Sequence, residues 1–273
     1  MENTEIQIVN VEQLAATTKV EIDIQISTAK AYPRNIQQCK DNAIAIATMD
    51  QETASSCGYR LTFRGDKPIT GKSVHLAKII AQCWGNLRIQ KKIIGVDGKF
   101  VIAEAICHDL ETNIAIKMES RKPCIKKDGS LYSADMINTT GLAAASIAMR
   151  EAILTVVPKS ISDLIYNKTR DVIAGKLDNE TRIIQKRKEM IEIFKNKWGG
   201  NIEEILKVVG VHSETAIGKD EIVHLIEINQ SLVDKEITTD ELFERNVENK
   251  IKDKKEQLKN NKKESKNSEP NLL

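Results

Sequence analysis

The chain has 273 residues, of which 41 are basic and 39 acidic, so its formal net charge is +2. Apolar residues make up 41% and charged residues 29%, which is typical of a folded globular protein and argues against intrinsic disorder. No apolar run reaches the roughly 20 residues of a membrane helix, and the first 20 residues lack an export-signal core. The five cysteines form no CxxC pair, which argues against a disulfide framework and favours the reducing cytoplasm.

The N-terminal part predicts helices and then a strand. Residues 1–19 are expected to form a flexible arm, followed by helices from Val20 to about Thr48 with an interruption at Pro33. Aromatic or aliphatic residues alternate with polar or basic ones at 59–64, which predicts a half-buried strand. Turn residues at 65–71 then predict a loop.

The middle of the chain predicts a helix and three consecutive strands. Ser73 is placed to cap a helix over residues 74–84, which Gly85 ends. Asp97-Gly98 is a type I′ hairpin signal. The connections are too short for parallel crossovers, so the strands are expected to form an antiparallel meander at 87–96, 99–107 and 114–121.

A long helix is predicted over Asp135–Val157, where small residues suit close packing across a sheet. The predicted fold class is α+β: an antiparallel β-meander crossed by a long helix, followed by a small all-α C-terminal lobe. The predicted domains are an α+β domain at 20–175, an acidic helical lobe at 176–244 and a disordered basic tail at 245–273. The helices of the lobe are expected at 180–197, 202–209, 219–233 and 239–243.

Two motifs are candidates for chemical sites. Gly65–Ser73 resembles a phosphate-binding P-loop, but five residues instead of four separate its glycines, and Pro68 lacks an N–H donor. A nucleotide-dependent recombination or replication enzyme stays an alternative on this basis. His108-Asp-Leu-Glu111 occupies a short turn with no second ligand cluster, so we predict no metal site, no cofactor and no enzymatic activity.

Basic side chains form the third candidate site. Residues 58–132 hold 14 basic and seven acidic residues, which predicts a local site for a polyanion. The alternative is that lysines merely solvate exposed hairpin faces. A basic groove with a few aromatic residues is what sequence-tolerant binding of single strands requires, although Trp84 could equally be a core residue. The candidate DNA-binding residues are Arg60, Arg64, Lys67, Lys72, Lys78, Trp84, Arg88, Lys91, Lys92, Arg121, Lys126, Lys127 and Arg150.

Three segments of the chain carry a shared pattern: Lys67–Arg88 (KPITGKSVHLAKIIAQCWGNLR), the Gly98–Phe100 hairpin and Thr140–Arg150 (TGLAAASIAMR). Together they resemble the phage single-strand annealing proteins of the RecT, Redβ and Erf group. The resemblance covers about residues 20–170, and the order of predicted elements is similar to the shared fold of that group.

The resemblance implies ATP-independent annealing of complementary single strands during phage recombination, in the cytoplasm of a bacterial host. It implies a homo-oligomer, either a ring or a helical filament, with single-stranded DNA and the annealed duplex in a basic groove. The C-terminal lobe would bind a host single-strand-binding protein or a phage exonuclease, and no membrane is involved. By resemblance, the phosphate contacts would be Lys72, Lys78, Arg88 and Arg150, with Lys126 and Lys127 as a hairpin clamp. A phage structural or adaptor protein is the remaining alternative.

Overall fold

A computed structural model describes residues 11–61, 69–126, 128–175, 177 and 179–243. These residues form two compact units. The first contains the described residues up to Gly58 and those from Lys72 to Val172. The second contains those of Tyr59–Gly71 and those from Ile173 onward, so residues 59–61 and 69–71 group with the C-terminal helices. The predicted α+β class and the helical C-terminal part are confirmed.

Most predicted elements are present, and three features differ from prediction. A helix begins at Val11, inside the segment expected to be an arm; a strand covers Ile69–Lys72; and a separate helix follows Pro158. In chain order, the elements are α1 (Val11–Ala31), α2 (Ile36–Ala47), α3 (Gln51–Ser56), β1 (Gly58–Leu61), β2 (Ile69–Lys72), α4 (Val74–Trp84), β3 (Leu87–Asp97), β4 (Phe100–Asp109), β5 (Ile114–Pro123), α5 (Ala134–Val156), α6 (Lys159–Gly175), α7 (Glu180–Asn196), α8 (Ile202–Val209), α9 (Lys219–Val233) and α10 (Thr239–Leu242).

Strands β3, β4 and β5 form the predicted antiparallel meander, in that order. The β3–β4 turn lies one residue later than predicted, because Asp97 pairs with Phe100 and leaves Gly98-Lys99 as the turn. Gly98 has a φ of 57°, and a leading glycine fits a type II′ turn instead of the predicted type I′. The register shifts between Ile93 and Gly95, so a β-bulge interrupts β3.

Helix α5 packs closely against one face of the meander because its surface there is made of small residues. Ala144 and Ala145 of α5 pack with Ala103 of β4, and all three are buried. A Cβ atom on Gly141 would lie 2.7 Å from Cδ1 of Ile93. The small residues therefore allow the close packing of helix on sheet that the sequence predicts.

Helix α4 is fixed at both ends as predicted, and its apolar side joins the core of the first unit. Ser73 Oγ accepts the N–H of Leu76 at 3.2 Å and donates to the Ser56 carbonyl at 2.5 Å. Gly85 ends the helix with a φ of 64°. The core that α4 shares with α2, α5 and α6 includes Ala43, Ala47, Leu76, Ile80, Ile153 and Ile165.

Arg34, which lies between α1 and α2, connects several elements of the first unit. Its two terminal nitrogens donate to the Asp109 carboxylate at 2.6 and 2.7 Å, and its Nε donates to Glu111 at 2.7 Å. The guanidinium lies 4.8 Å from the centre of the Trp84 ring. Asn86 also donates to Glu111 at 2.6 Å. Because the Arg34 side chain is only 7% exposed, these charged groups pair largely away from water.

The helices of the second unit begin with strong N-terminal caps. Asn201 and Glu204 form a capping box on α8, and Thr238 and Glu241 form another on α10. Residues 198–244 hold 11 acidic side chains, and six of them lie in the first turns of α8, α9 and α10, where they interact favourably with the helix dipole. These six are Glu203, Glu204, Asp220, Glu221, Asp240 and Glu241.

We expect Arg34→Ala to lower the free energy of unfolding by about 3–5 kcal/mol, because it leaves buried carboxylates without their cation. Denaturant unfolding measures this change. Lys168→Ala, at an exposed lysine of α6, is the control and is expected to leave stability nearly unchanged. Equal stability of the two variants would contradict the central role of Arg34.

The same cluster predicts a pH dependence of stability. Burial raises the pKa of Glu111, but hydrogen bonds from Asn86 and Arg34 outweigh burial and keep the pKa below its usual value. Such a carboxylate stabilises the fold above its unfolded pKa of about 4.3 and loses this contribution as the pH falls through the lower folded pKa. We therefore expect the stability advantage of the wild type over Glu111→Gln in thermal unfolding to shrink below about pH 4. An advantage that persists unchanged at about pH 2 would contradict this account.

Candidate nucleic-acid interface

The face of the meander opposite α5 carries most of its charged side chains. Ile93 and Lys91 lie on the α5 side, since Ile93 contacts Gly141 and Lys91 Nζ lies 3.5 Å from Ser146 Oγ. Side chains alternate between faces, and on β5 exposed residues alternate with half-buried ones in the matching register. The opposite face, which we call the open face, carries Arg88, Gln90, Lys92, Ile102, Glu104, Ile106, His108, Lys117, Glu119 and Arg121.

The open face has a partly apolar centre with cations on both outer strands. Strand β4 contributes Ile102 and Ile106, which are half-buried, with Glu104 between them. The outer strands contribute the cations, with Arg88 and Lys92 on β3 and Lys117 and Arg121 on β5. Cations therefore flank a central strip that offers apolar contact.

Glu104 is the buried charge at the centre of this face. It is 7% exposed and lies directly opposite both Lys92 on β3 and Glu119 on β5. Its carboxylate accepts a hydrogen bond from Lys117 and lies 3.4 Å from Lys92 Nζ. The hydrogen bond from Lys117, with the charge of Lys92, keeps the pKa of Glu104 below its usual value. The two lysines remain 66% and 62% exposed, so their ammonium groups reach solvent.

The arginines of the open face also have partners. Arg121 Nε donates to Glu119 at 2.7 Å, and a terminal nitrogen lies 4.0 Å from Asp97. Arg88 donates to Gln25 of α1 at 3.0 Å. Arg121 is exposed, so it can contact a ligand without leaving the sheet surface.

The meander is more cationic at its surface than its sequence count indicates. Residues 87–126 hold eight basic and five acidic side chains. Two of the five, Asp109 and Glu111, are bound by Arg34, which comes from outside this segment. Only Asp97, Glu104 and Glu119 remain to balance the eight cations, so the predicted concentration of positive charge has a structural basis.

Two predicted DNA contacts are buried, so the structure contradicts their assignment. Trp84 is 5% exposed and lies under Arg34, so no base can stack on it in this structure. Arg150 is also 5% exposed, and its Nε donates to Glu151 at 3.0 Å. Both residues act within the protein core.

Lys72 is paired inside the protein, which also weakens the P-loop alternative. Its Nζ donates to Asp163 of α6 at 2.5 Å, and its side chain is 14% exposed. Gly71 and Lys72 belong to β2, and the ring of Tyr59 covers Gly71. The Ser73 N–H donates to the Cys57 carbonyl at 2.9 Å. A lysine already paired with a carboxylate is poorly placed to bind nucleotide phosphates.

The remaining predicted contacts lie in several places. Arg60 is in the second unit, where its backbone N–H and carbonyl both bond to Ser231 Oγ of α9 at 2.9 Å. Lys78 is exposed on α4, away from that helix's buried side, and Lys126 is exposed beside the turn that follows β5. Arg64, Lys67 and Lys127 lie outside the described residues. The structure thus brings Arg88, Lys92 and Arg121 together on the open face, with Lys91 on the other side of the same strand.

Lys117 and Glu104 are parts of this face that sequence reasoning missed. The strand alternation at Lys117, Glu119 and Arg121 was a usable signal, because period two places all three on one face. Glu104 stands in an apolar strand, where a lone acidic residue indicates a paired charge.

Within the described ranges, no group of three or more His, Cys, Asp or Glu side chains is arranged to hold a metal ion. His108 instead lies 2.9 Å from the Asn113 side-chain oxygen across the β4–β5 turn. No single helix in the described part of the chain is long and apolar enough to cross a membrane. The pair α5 and α6, bent by 116°, would qualify together by length and composition alone.

No protein-family model matches the chain, and neither a curated protein nor a solved structure gives a significant match.

Because Lys72 pairs with Asp163 inside the protein, its replacement should change stability but not DNA binding. We expect Lys72→Met to lower the free energy of unfolding by about 1 kcal/mol, because Asp163 loses a close cation, and to leave DNA affinity unchanged. Lys92→Met makes the same substitution on the open face and should lower DNA affinity with a smaller loss of stability, because Lys92 is 66% exposed and Lys117 still pairs with Glu104. Denaturant unfolding and fluorescence anisotropy with a labelled oligonucleotide measure both effects, and the reverse pattern would contradict our placement of the interface.

Proposed function

We propose that this protein binds single-stranded DNA on the open face of its meander and anneals complementary strands without ATP. The observation that carries the proposal is the exposed sheet surface on which Lys92, Lys117 and Arg121 flank the apolar side chains of Ile102 and Ile106. Cations on the outer strands suit the phosphates of a single strand, and an apolar strip suits its bases.

The charge pattern favours binding without sequence preference. Contacts from lysine and arginine to phosphates position a strand but carry no sequence information. Base edges then remain available to a second strand, which can approach from the solvent side of the exposed Lys92, Lys117 and Arg121. These properties are what annealing requires of a DNA-binding surface.

The resemblance to the phage annealing group adds support through the order of elements. Helix α4, the meander and α5 follow one another as the resemblance implies, and the small residues of Thr140–Arg150 pack against the sheet. On this basis we propose the annealing-protein fold, a homo-oligomeric ring or filament, and a role in phage recombination in the bacterial cytoplasm. Oligomerisation would multiply weak contacts along one strand.

The proposal assigns no DNA contact to the second unit. Glu204, Glu221 and Glu241 accept hydrogen bonds at the starts of α8, α9 and α10, so part of the negative charge of this unit stabilises its helices. We propose that residues 176–244 bind a protein partner, either a host single-strand-binding protein or a phage exonuclease. A pull-down of each candidate with the full chain tests this part separately.

The central experiment measures DNA binding and annealing of the full chain without nucleotide across a salt series. Lys92, Lys117 and Arg121 are replaced together by alanine. We expect about tenfold or greater loss of affinity at moderate salt, and a decrease of about 2 in the slope of log affinity against log salt. Fluorescence anisotropy gives the affinity, and adding the complementary strand gives the rate of annealing.

The control replaces Lys168, Lys188 and Lys195 by alanine, which removes the same charge from exposed positions on α6 and α7. This variant should keep most of the affinity of the wild type. Equal losses in both triple variants would show a general charge effect and contradict an interface on the open face. Absence of DNA binding by the wild type at low salt would overturn the proposed function and favour the adaptor alternative.

A further inference from the structure

Glu104 lies where a DNA-binding surface should carry no negative charge. It stands between Ile102 and Ile106, at the centre of the strip that the proposed function assigns to the bound strand. A strand that lies across this strip must bring phosphates close to the carboxylate. A glutamate there lowers affinity for a polyanion unless it has another effect.

The contacts of Glu104 show that effect. Its two oxygens engage Lys92 and Lys117, one from each outer strand, so one carboxylate draws together the cations on both sides of the strip. Glu119 lies directly opposite on the same face, where two like charges repel, and Arg121 and Lys117 reduce this repulsion by pairing with Glu119 and Glu104. Lys92 and Lys117 pair with Glu104 while their exposed ammonium groups keep donors for phosphates.

We propose that the Glu104 carboxylate competes with DNA phosphates for Lys92 and Lys117. It holds both lysines in place and keeps a bound single strand exchangeable. The inference rests on the proposed DNA-binding role of the open face. Annealing needs strands that bind, test a partner and shift register, so a surface that binds too tightly would slow the search. Glu104 is thus a positioning residue that sets affinity through the two lysines.

The test compares Glu104→Gln with Glu189→Gln, because both remove one negative charge from a glutamate that is paired with lysine. Glu189 is exposed on α7, pairs with Lys186 at 2.6 Å and lies outside the open face. We expect Glu104→Gln to bind single-stranded DNA about fivefold more tightly than the wild type and to anneal complementary strands more slowly. Glu189→Gln should bind less than about twofold more tightly and anneal at the rate of the wild type.

A second measurement distinguishes competition from a purely structural role. If Glu104 holds Lys92 away from phosphate, Lys92→Ala should cost more affinity in the Glu104→Gln background than in the wild type. A structural role alone predicts lower thermal stability with no such coupling. Glu104→Met, which suits a position between two isoleucines, replaces Glu104→Gln if the glutamine variant does not fold. Failure of both variants to fold would assign Glu104 a structural role and overturn the inference.

The outcomes separate this inference from the proposed function. If the wild type binds and anneals DNA but the two glutamate variants behave alike, the inference is wrong and the proposed function stands. If the wild type does not bind DNA at low salt, both are wrong. Tighter binding with slower annealing in Glu104→Gln alone supports both.

Discussion

The salt bridges of Arg34 are the interaction on which the first unit most depends. The Arg34 guanidinium binds Asp109 and Glu111 near the end of β4 and lies over the ring of Trp84 at the end of α4. Arg34 itself comes two residues before the start of α2. Two helices and one edge of the meander are therefore fixed by a single largely buried side chain. Removing one partner of such a cluster leaves unpaired charge inside the protein, so its members depend on each other.

This cluster also affects the net charge of the meander. Asp109 and Glu111 are the acidic residues at one end of the meander, and Arg34 neutralises them from outside the sheet. The cations of β3 and β5 are then opposed mainly by Glu104 and Glu119. The stability of the core and the net charge of the meander thus depend on the same residue.

Features that depend on residues close together in the sequence, such as helix starts and tight turns, were predicted well. Helices α8 and α9 begin after Asn201 and Gly218 as expected, because a cap and the first turn lie within four residues of each other. The meander followed from its short turns. The sequence did not reveal that Lys72 pairs with Asp163, 91 residues away, or that Trp84 and Arg150 are buried. The sequence does not show whether a basic residue faces solvent or a distant carboxylate. The positive charge of the candidate site and the strands that carry it were therefore predicted, but only some of its residues were.

The β-bulge in β3 has a consequence for the behaviour of the molecule in solution. Strand β3 is an edge strand of the described meander and carries the exposed apolar side chains of Ile94 and Val96. Phe100, the first residue of β4, is also exposed. A regular edge with such residues is a template for strand addition and aggregation. The extra residue between Ile93 and Gly95 breaks the row of backbone donors and acceptors that an incoming strand would need. A small irregularity in register thereby protects an exposed apolar hairpin from uncontrolled self-association.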